Sequence, residues 1–190
     1  MKALVFGAGG GIGSALCLAL EQQQHVVTAI GREQLDCGSE QLEQQVADII
    51  RDTKPDWIFN CIGVLGTNQN SYRDVFDANF GSNWAIVKYY LEHTDAQVQI
   101  VLVGSTTHNQ PRRNSILYAA SKSALHNLWQ STEDIFAGTN VNIGLVHPPR
   151  VNTKMLNGRP GPSLSPDYVA QVMIELTNNM KSRTLLELGI

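Results

Sequence analysis

Tyr118 and Lys122, spaced Tyr-Ala-Ala-Ser-Lys, are the residues of this chain best suited to proton chemistry. Four positions apart on a helix, the two side chains share one face and lie within reach of each other. A phenol ordinarily loses its proton near pH ~10. A neighbouring ammonium favours the phenolate and draws that value toward neutrality, where a tyrosine serves as acid or base. Any amphipathic helix can carry such a pair by accident, so its meaning rests on what the rest of the chain supplies.

A second chemical feature stands at the other end of the sequence. The apolar run Lys2–Phe6 leads directly into Gly7-Ala8-Gly9-Gly10-Gly11-Ile12-Gly13 and then into a helical pattern. A strand that delivers a glycine-rich turn to a helix N-terminus makes a phosphate site. The backbone can approach a pyrophosphate closely, and unpaired amides and the helix dipole favour its charge. The spacing is Gly-x-x-x-Gly-x-Gly rather than the commoner Gly-x-Gly-x-x-Gly. The next apolar run ends at Ile30-Gly31-Arg32, where chains that prefer NAD usually carry an acid for the adenosine ribose. Gly31 leaves room there, and the Arg32 guanidinium suits a 2′-phosphate, which favours NADP.

The elements that must position these groups follow from periodicity. Candidate strands are Lys2–Phe6, Val26–Ile30, Trp57–Cys61, Gln99–Val103, Val141–Val146 and Thr184–Leu188. Most are continuous Val/Ile/Leu runs, as expected where both faces of a parallel sheet are covered. Helices are expected from Ile12 to about Gln23, after Ser39 as N-cap with Leu42, Val46, Ile49 and Ile50 on one side, and from Tyr72 to Glu92. A further one runs from Ser115 to Phe136, and the last opens at Ser165-Pro166-Asp167. This alternation implies βαβ units in a doubly wound α/β sheet, with the whole chain, 1–190, as a single domain.

Composition narrows the function classes. The chain is 43% hydrophobic and 16% charged, with a formal charge of −3 and no basic patch, which argues against nucleic acid as a partner. Cys17, Cys37 and Cys61 form no CxxC pair and no metal-ligand spacing with the five histidines, so no metal site is expected. Scattered thiols suit a reducing, cytoplasmic setting. The glycines of the first loop interrupt the apolar run that a signal peptide would need, and no run approaches the ~20 apolar residues of a membrane span.

Taken together, the glycine loop and the Tyr118/Lys122 pair resemble the short-chain dehydrogenase/reductase family, as an unusually short member. Asn60-Cys61-Ile62-Gly63 looks like a variant of the family's Asn-Asn-Ala-Gly motif, and Asn79 matches its helical asparagine. Ser105 follows an apolar strand thirteen residues before Tyr118, and Pro148-Pro149-Arg150-Val151-Asn152-Thr153 resembles the family's Pro-Gly-x-x-x-Thr stretch. The resemblance implies a Rossmann-type sheet and a catalytic set of Asn79, Ser105, Tyr118 and Lys122. It implies an NADP(H) site formed by Gly7, Gly9, Gly11, Ile12, Gly13, Arg32, Asp36, Asn60, Gly63, Tyr118, Lys122, Pro148, Val151 and Thr153. Tyr118 would exchange a proton with a small carbonyl or hydroxyl substrate, Ser105 would orient the oxygen, and Lys122 would hold the nicotinamide ribose and lower the tyrosine's pKa. Asn79 would anchor a water in a proton relay through Lys122.

Three departures qualify the resemblance. Leu35-Asp36 follows Arg32 so soon that the usual third strand and second helix have no room, and that crossover is expected to be deleted. Pro149 replaces a glycine. The stretch from Lys154 to Ser165, where relatives build a substrate lid, is short and rich in Gly and Pro. Arg112, Arg113 and His108 are candidates to meet an anionic substrate. The family pairs its two long helices into dimer interfaces, so a homodimer or homotetramer is expected, with Trp84, Tyr89, Leu128 and Trp129 as candidate contacts. The alternatives to a carbonyl reductase or alcohol dehydrogenase are a nucleotide-binding regulatory protein with little turnover, or an isomerase or dehydratase using the same Tyr/Lys chemistry.

Overall fold

Six strands pair in parallel in the computed structural model, in the order β2-β1-β3-β4-β5-β6. They are β1 (Lys2–Phe6), β2 (Val26–Ile30), β3 (Trp57–Asn60), β4 (Val98–Val103), β5 (Val141–His147) and β6 (Thr184–Glu187). The structure describes every residue except 68, 157, 159, 181–183 and 190. Side chains alternate between two cores, as strands with both faces covered require. Leu4, Phe6, Ile58, Ile100, Leu102, Ile143 and Leu145 face α2 (Leu42–Thr53), α4 (Ser82–Leu91) and α5 (Ile116–Phe136). Ala3, Val5, Phe59, Val101 and Val146 face α1 (Gly11–Gln22) and α6 (Pro166–Asn179), which pack on each other.

The expected deletion is real. β2 leads through a short run of turns to α2 and then β3, so β2 is an edge of the sheet and, among the described residues, no strand lies beyond it. Leu35, from that run, is 4% exposed and fills part of the core a longer crossover would have covered. The strand order reverses at β1, which lies between β2 and β3, and a crevice opens where such a reversal occurs at strand C-termini.

Two helical expectations are corrected. The N-cap of α2 is Gln41, not Ser39; the Ser39 hydroxyl instead accepts from the Gln41 amide at 3.1 Å, within a preceding turn. The helix expected from Tyr72 to Glu92 is broken into α3 (Tyr72–Phe76), a wide π-helical turn over Asp77–Gly81, and α4. Ser71 and Asp74 close a reciprocal capping box at its start, each at 3.1 Å. Across this π turn the Asn83 side-chain amide donates to the Asn79 carbonyl at 2.9 Å. Ser165 caps α6 as expected, accepting from the Tyr168 amide at 3.1 Å.

Candidate active site

The C-terminal ends of the parallel strands bring most of the singled-out residues together. Gly7 leaves β1 with φ +75°, and a Cβ there would lie 2.8 Å from the backbone of Cys61 and Ile62, so β1 and β3 touch through this glycine. The Gly7 and Ala8 amides both donate to the Ile30 carbonyl, at 2.9 and 3.1 Å, which ties the loop to β2. Gly10 is the N-cap of α1, and no side chain caps that helix. The first-turn amides are therefore left for a ligand, and at Gly9 a Cβ would meet nothing within 4 Å. A bare cradle at an uncapped helix end fits a dinucleotide pyrophosphate. Thr153 leans on it: a Cβ on Gly11 would come within 2.8 Å of the Thr153 Cβ.

Arg32 and Asp36 lie in the turn after β2, both exposed. The Asp36 carboxylate accepts from the Gly38 amide at 2.9 Å, and the Gln34 side chain accepts from the Gly31 amide at 2.8 Å. On the other side of the crevice the Pro148 carbonyl accepts from the Thr106 amide at 3.2 Å, and Val151 bridges to Leu164. The stretch from Lys154 to Ser165 includes residues 157 and 159, which lie outside the described residues. Within it, Met155 is 40% exposed and its methyl lies 4.0 Å from where a Cβ on Gly63 would stand.

Behind the crevice runs a buried chain of amides and hydroxyls. Asn60, at the tip of β3, donates to Ser82 at 3.0 Å and to Asn83 at 2.9 Å, and accepts from the Ile62 amide at 3.1 Å. Asn79 accepts from the Val64 amide at 2.8 Å and donates to the Val64 carbonyl and the Ser121 hydroxyl, each at 3.0 Å. Ser121 donates to the Tyr118 carbonyl at 2.8 Å. Asn79 thus braces the loop after β3 and, through Ser121, the backbone that carries Tyr118. Ser82 and Asn83 carry this network without belonging to any motif, their one sequence signal being polarity inside an otherwise apolar helix, whereas Ser121 is the serine of the Tyr-Ala-Ala-Ser-Lys stretch.

At the chemical centre the Tyr118 hydroxyl faces Ser105, near enough for the serine to lower its pKa. The Ser105 hydroxyl also accepts from the Thr107 amide at 3.2 Å and the Thr107 hydroxyl at 3.0 Å, so Thr107 supports Ser105. Lys122 is 3% exposed, and its ammonium donates to the Val103 carbonyl at 2.8 Å. It stands 5.9 Å from the centroid of the Tyr118 ring. The expected lowering of the tyrosine's pKa by this lysine is not what the geometry gives. Burial raises the Tyr118 pKa, outweighing Ser105 and the Arg112 charge, which lower it. Burial also pulls Lys122 down to about 8.

Other expectations shift as well. His108 does not greet a substrate. It stacks with His126 and His147 beneath Ser105, and the three histidines bring candidate ligand nitrogens within 4.8 Å of one another. Sequence spacing missed this set because its members come from the turn after β4, from α5 and from β5. Trp129 is core, 4% exposed and donating to the Ile143 carbonyl at 3.0 Å, whereas Trp84 is tied to Glu43 of α2 at 2.8 Å. No helix among the described residues is long and apolar enough to cross a membrane.

Comparisons with known proteins agree with this geometry. The family model for short chain dehydrogenase matches residues 34–161. An uncharacterised oxidoreductase of Staphylococcus epidermidis is 24% identical over 184 residues, covering 82% of this chain and 80% of its own. Among solved structures, the 3-alpha-hydroxysteroid dehydrogenase from Pseudomonas sp. B-0831, complexed with NADH, superposes with TM-score 0.83 at 23% identity, over 98% of this chain and 95% of its own. A short chain dehydrogenase from Burkholderia cenocepacia in complex with NADP reaches TM-score 0.84 at 17% identity, over 100% of this chain and 88% of its own. The matched family model covers well over half of the sequence, and the tyrosine, serine and lysine converge beyond the strand ends. The chain belongs to the short-chain dehydrogenase family and is an oxidoreductase of the NAD(P)-dependent kind.

Proposed function

We propose that this protein is an NADP(H)-preferring carbonyl reductase or alcohol dehydrogenase, one dinucleotide-binding unit with its catalytic site built in. The observation that carries the reading is the convergence of Tyr118 and Ser105, close enough for the serine to lower the phenol's pKa, with the buried Lys122 beside them and the uncapped N-terminus of α1 across the crevice. The α1 amides and Gly7–Gly13 would hold the pyrophosphate, Arg32 the 2′-phosphate, Asp36 the adenine side, and Asn60, Gly63, Pro148, Val151 and Thr153 the nicotinamide half. When bound, the nicotinamide supplies or accepts the hydride.

The chain's own residues handle the proton. Ser105 donates to the substrate oxygen and fixes its direction. As a hydride forms the new C–H bond, the C=O π pair moves to oxygen and takes the Tyr118 proton, so the products are an alcohol and a phenolate. Charge appears on oxygen only in the transition state, so donors fixed in advance lower the barrier most. A phenol whose pKa burial raises in the free chain holds its proton until the site is filled. Lys122, held near 8 by burial, sits where a developing phenolate would gain most from its charge. Asn79 holds the loop and helix that carry these groups, and the relay water is placed beside it. The three free thiols suit a reducing, cytoplasmic setting, and the α4–α5 face would pair two copies.

The test is a nucleotide titration followed by a panel of small carbonyl compounds. Intrinsic tryptophan fluorescence should report tighter binding of NADPH than of NADH. Turnover with NADPH should vanish in Tyr118→Phe while nucleotide binding persists. Nucleotide binding with no turnover of any carbonyl or alcohol by wild type would instead support the regulatory alternative.

A further inference from the structure

We infer that His147 is a positioning residue for Ser105, acting through the serine's backbone, and that His108 and His126 keep it in the one protonation state able to do so. The inference rests on the proposed reading of Ser105 as the group that orients the substrate oxygen.

Both backbone groups of Ser105 are held by imidazoles. Its amide donates to His147 Nδ1 at 2.8 Å, and its carbonyl faces His108 Nδ1 at 3.0 Å. These two rings stack with centroids 4.0 Å apart and planes 11° from parallel. His126, from α5, lies over His108 at 4.4 Å, and its Nδ1 is 2.9 Å from His147 Nε2. Space is made for the arrangement at Gly104, where a Cβ would overlap the His147 ring.

The tautomers follow from the partners. An amide N–H can only donate, so His147 Nδ1 carries the lone pair and Nε2 the proton. That proton is donated to His126 Nδ1, which leaves the His126 proton on Nε2. His108 Nδ1 faces a carbonyl and must carry its proton, so its basic nitrogen is Nε2, 3.6 Å from Glu187 Oε1. An extra proton on His147 Nδ1 would set two N–H groups against each other and release Ser105. The charged groups that face the stack are Glu187 from β6 and Lys122 from α5, besides the histidines themselves. Burial first, then His108, His126 and Lys122, hold the His147 pKa down to about 3.

A metal reading of the same set fails on direction. Imidazole nitrogens bind a metal through in-plane lone pairs that converge. Stacked rings send those lone pairs along parallel lines, and the lone pair of His147 is aimed at the Ser105 amide.

Two substitutions in the full chain separate the parts of the ring. In His147→Asn the side-chain oxygen can stand where Nδ1 stood, whereas His147→Gln reaches only the Nε2 position. The Tyr118 phenol, whose pKa Ser105 lowers, is read from its Cζ NMR resonance, assigned with Tyr118→Phe. His147→Gln should raise the phenol pKa by roughly one unit, the worth of one hydrogen bond. With a substrate from the carbonyl panel, its kcat should fall ~10- to 100-fold while KM moves little, as a misplaced catalytic group predicts. His147→Asn should recover both. Equal phenol pKa values in wild type and His147→Gln would overturn the inference. Should His147→Gln fail to fold, imidazole 15N spectra of the wild type decide: an unprotonated His147 Nδ1 supports it, and a protonated one overturns it. Ser105→Ala separates the two readings. If it moves neither kcat nor the phenol pKa, the proposed role of Ser105 fails; if it moves both while the His147 variants move neither, the inference alone fails.

Discussion

Gly13→Ala should destabilise the protein, although alanine is the better helix former and Gly13 stands in the first turn of α1. A Cβ at Gly13 would stand on the Gly7 carbonyl oxygen, 2.9 Å from the Gly7 carbonyl carbon and 3.0 Å from the Ala8 Cα. All three atoms are backbone, and the segment is pinned to β2 by the Gly7 and Ala8 bonds to the Ile30 carbonyl. Carbon atoms prefer separations of ~3.5–4.0 Å, so α1 must move by roughly half an ångström or more against a packed sheet. Overpacking of that kind costs ~1–3 kcal/mol, and the helix-propensity gain offsets up to ~1 kcal/mol. The net is a loss of about 1–2 kcal/mol. Gly9→Ala is the matched control, because a Cβ there meets nothing within 4 Å, and its stability should stay within ~0.5 kcal/mol of wild type. Urea unfolding without nucleotide should show a midpoint lower by roughly 0.5–1 M for Gly13→Ala alone, at unchanged slope. If Gly13→Ala proved as stable as Gly9→Ala, the close approach of α1 to the β1 turn would be wrong, and with it the packing reason for this glycine.

Other consequences follow from the same geometry. Arg32→Ala should weaken NADPH binding ~10-fold or more and leave NADH binding nearly unchanged, as loss of a charge-assisted pair predicts; equal losses for both nucleotides in fluorescence titrations would remove Arg32 from the phosphate site. Asn83→Ala deletes partners of Asn60 and of the Asn79 carbonyl, so thermal or urea unfolding should report a loss of ~2–4 kcal/mol. Lys122→Met should end turnover yet raise stability at pH 7, because burial holds the lysine's pKa at about 8, below its unfolded value, so its charge is a cost whenever it is protonated. That advantage should shrink as pH rises from about 8 toward 10.5 and the unfolded chain alone stays protonated; melting curves of both proteins across that range check the sign.

The six strands, the glycine turn and the order of the motifs are legible in the sequence because each rests on local chemistry. Continuous apolar runs mark a covered parallel sheet, and a missing crossover shows in the short interval between Arg32 and Leu42. The candidate tyrosine, serine and lysine are legible for a related reason: Ser105 lies just past the end of β4, and Tyr118 and Lys122 share one face in the first turns of α5. What local pattern could not supply was every feature made by residues from distant elements. The break at Asp77–Gly81 follows from Asn79 bonding to Val64 and Asn83 bonding to Asn79, and periodicity alone reads one unbroken helix there. The direction of the Tyr118 shift is likewise decided in three dimensions, because burial outweighs the lowering by Ser105 and Arg112. His108, His126 and His147 make the same point most plainly. Their spacing in the chain carries no signal, and only packing of β5, α5 and the turn after β4 sets two imidazoles against the backbone of one serine and a third against them. Sequence fixes which groups can do chemistry; desolvation and long-range hydrogen bonds, which exist only once the sheet has closed around them, decide which protons they hold.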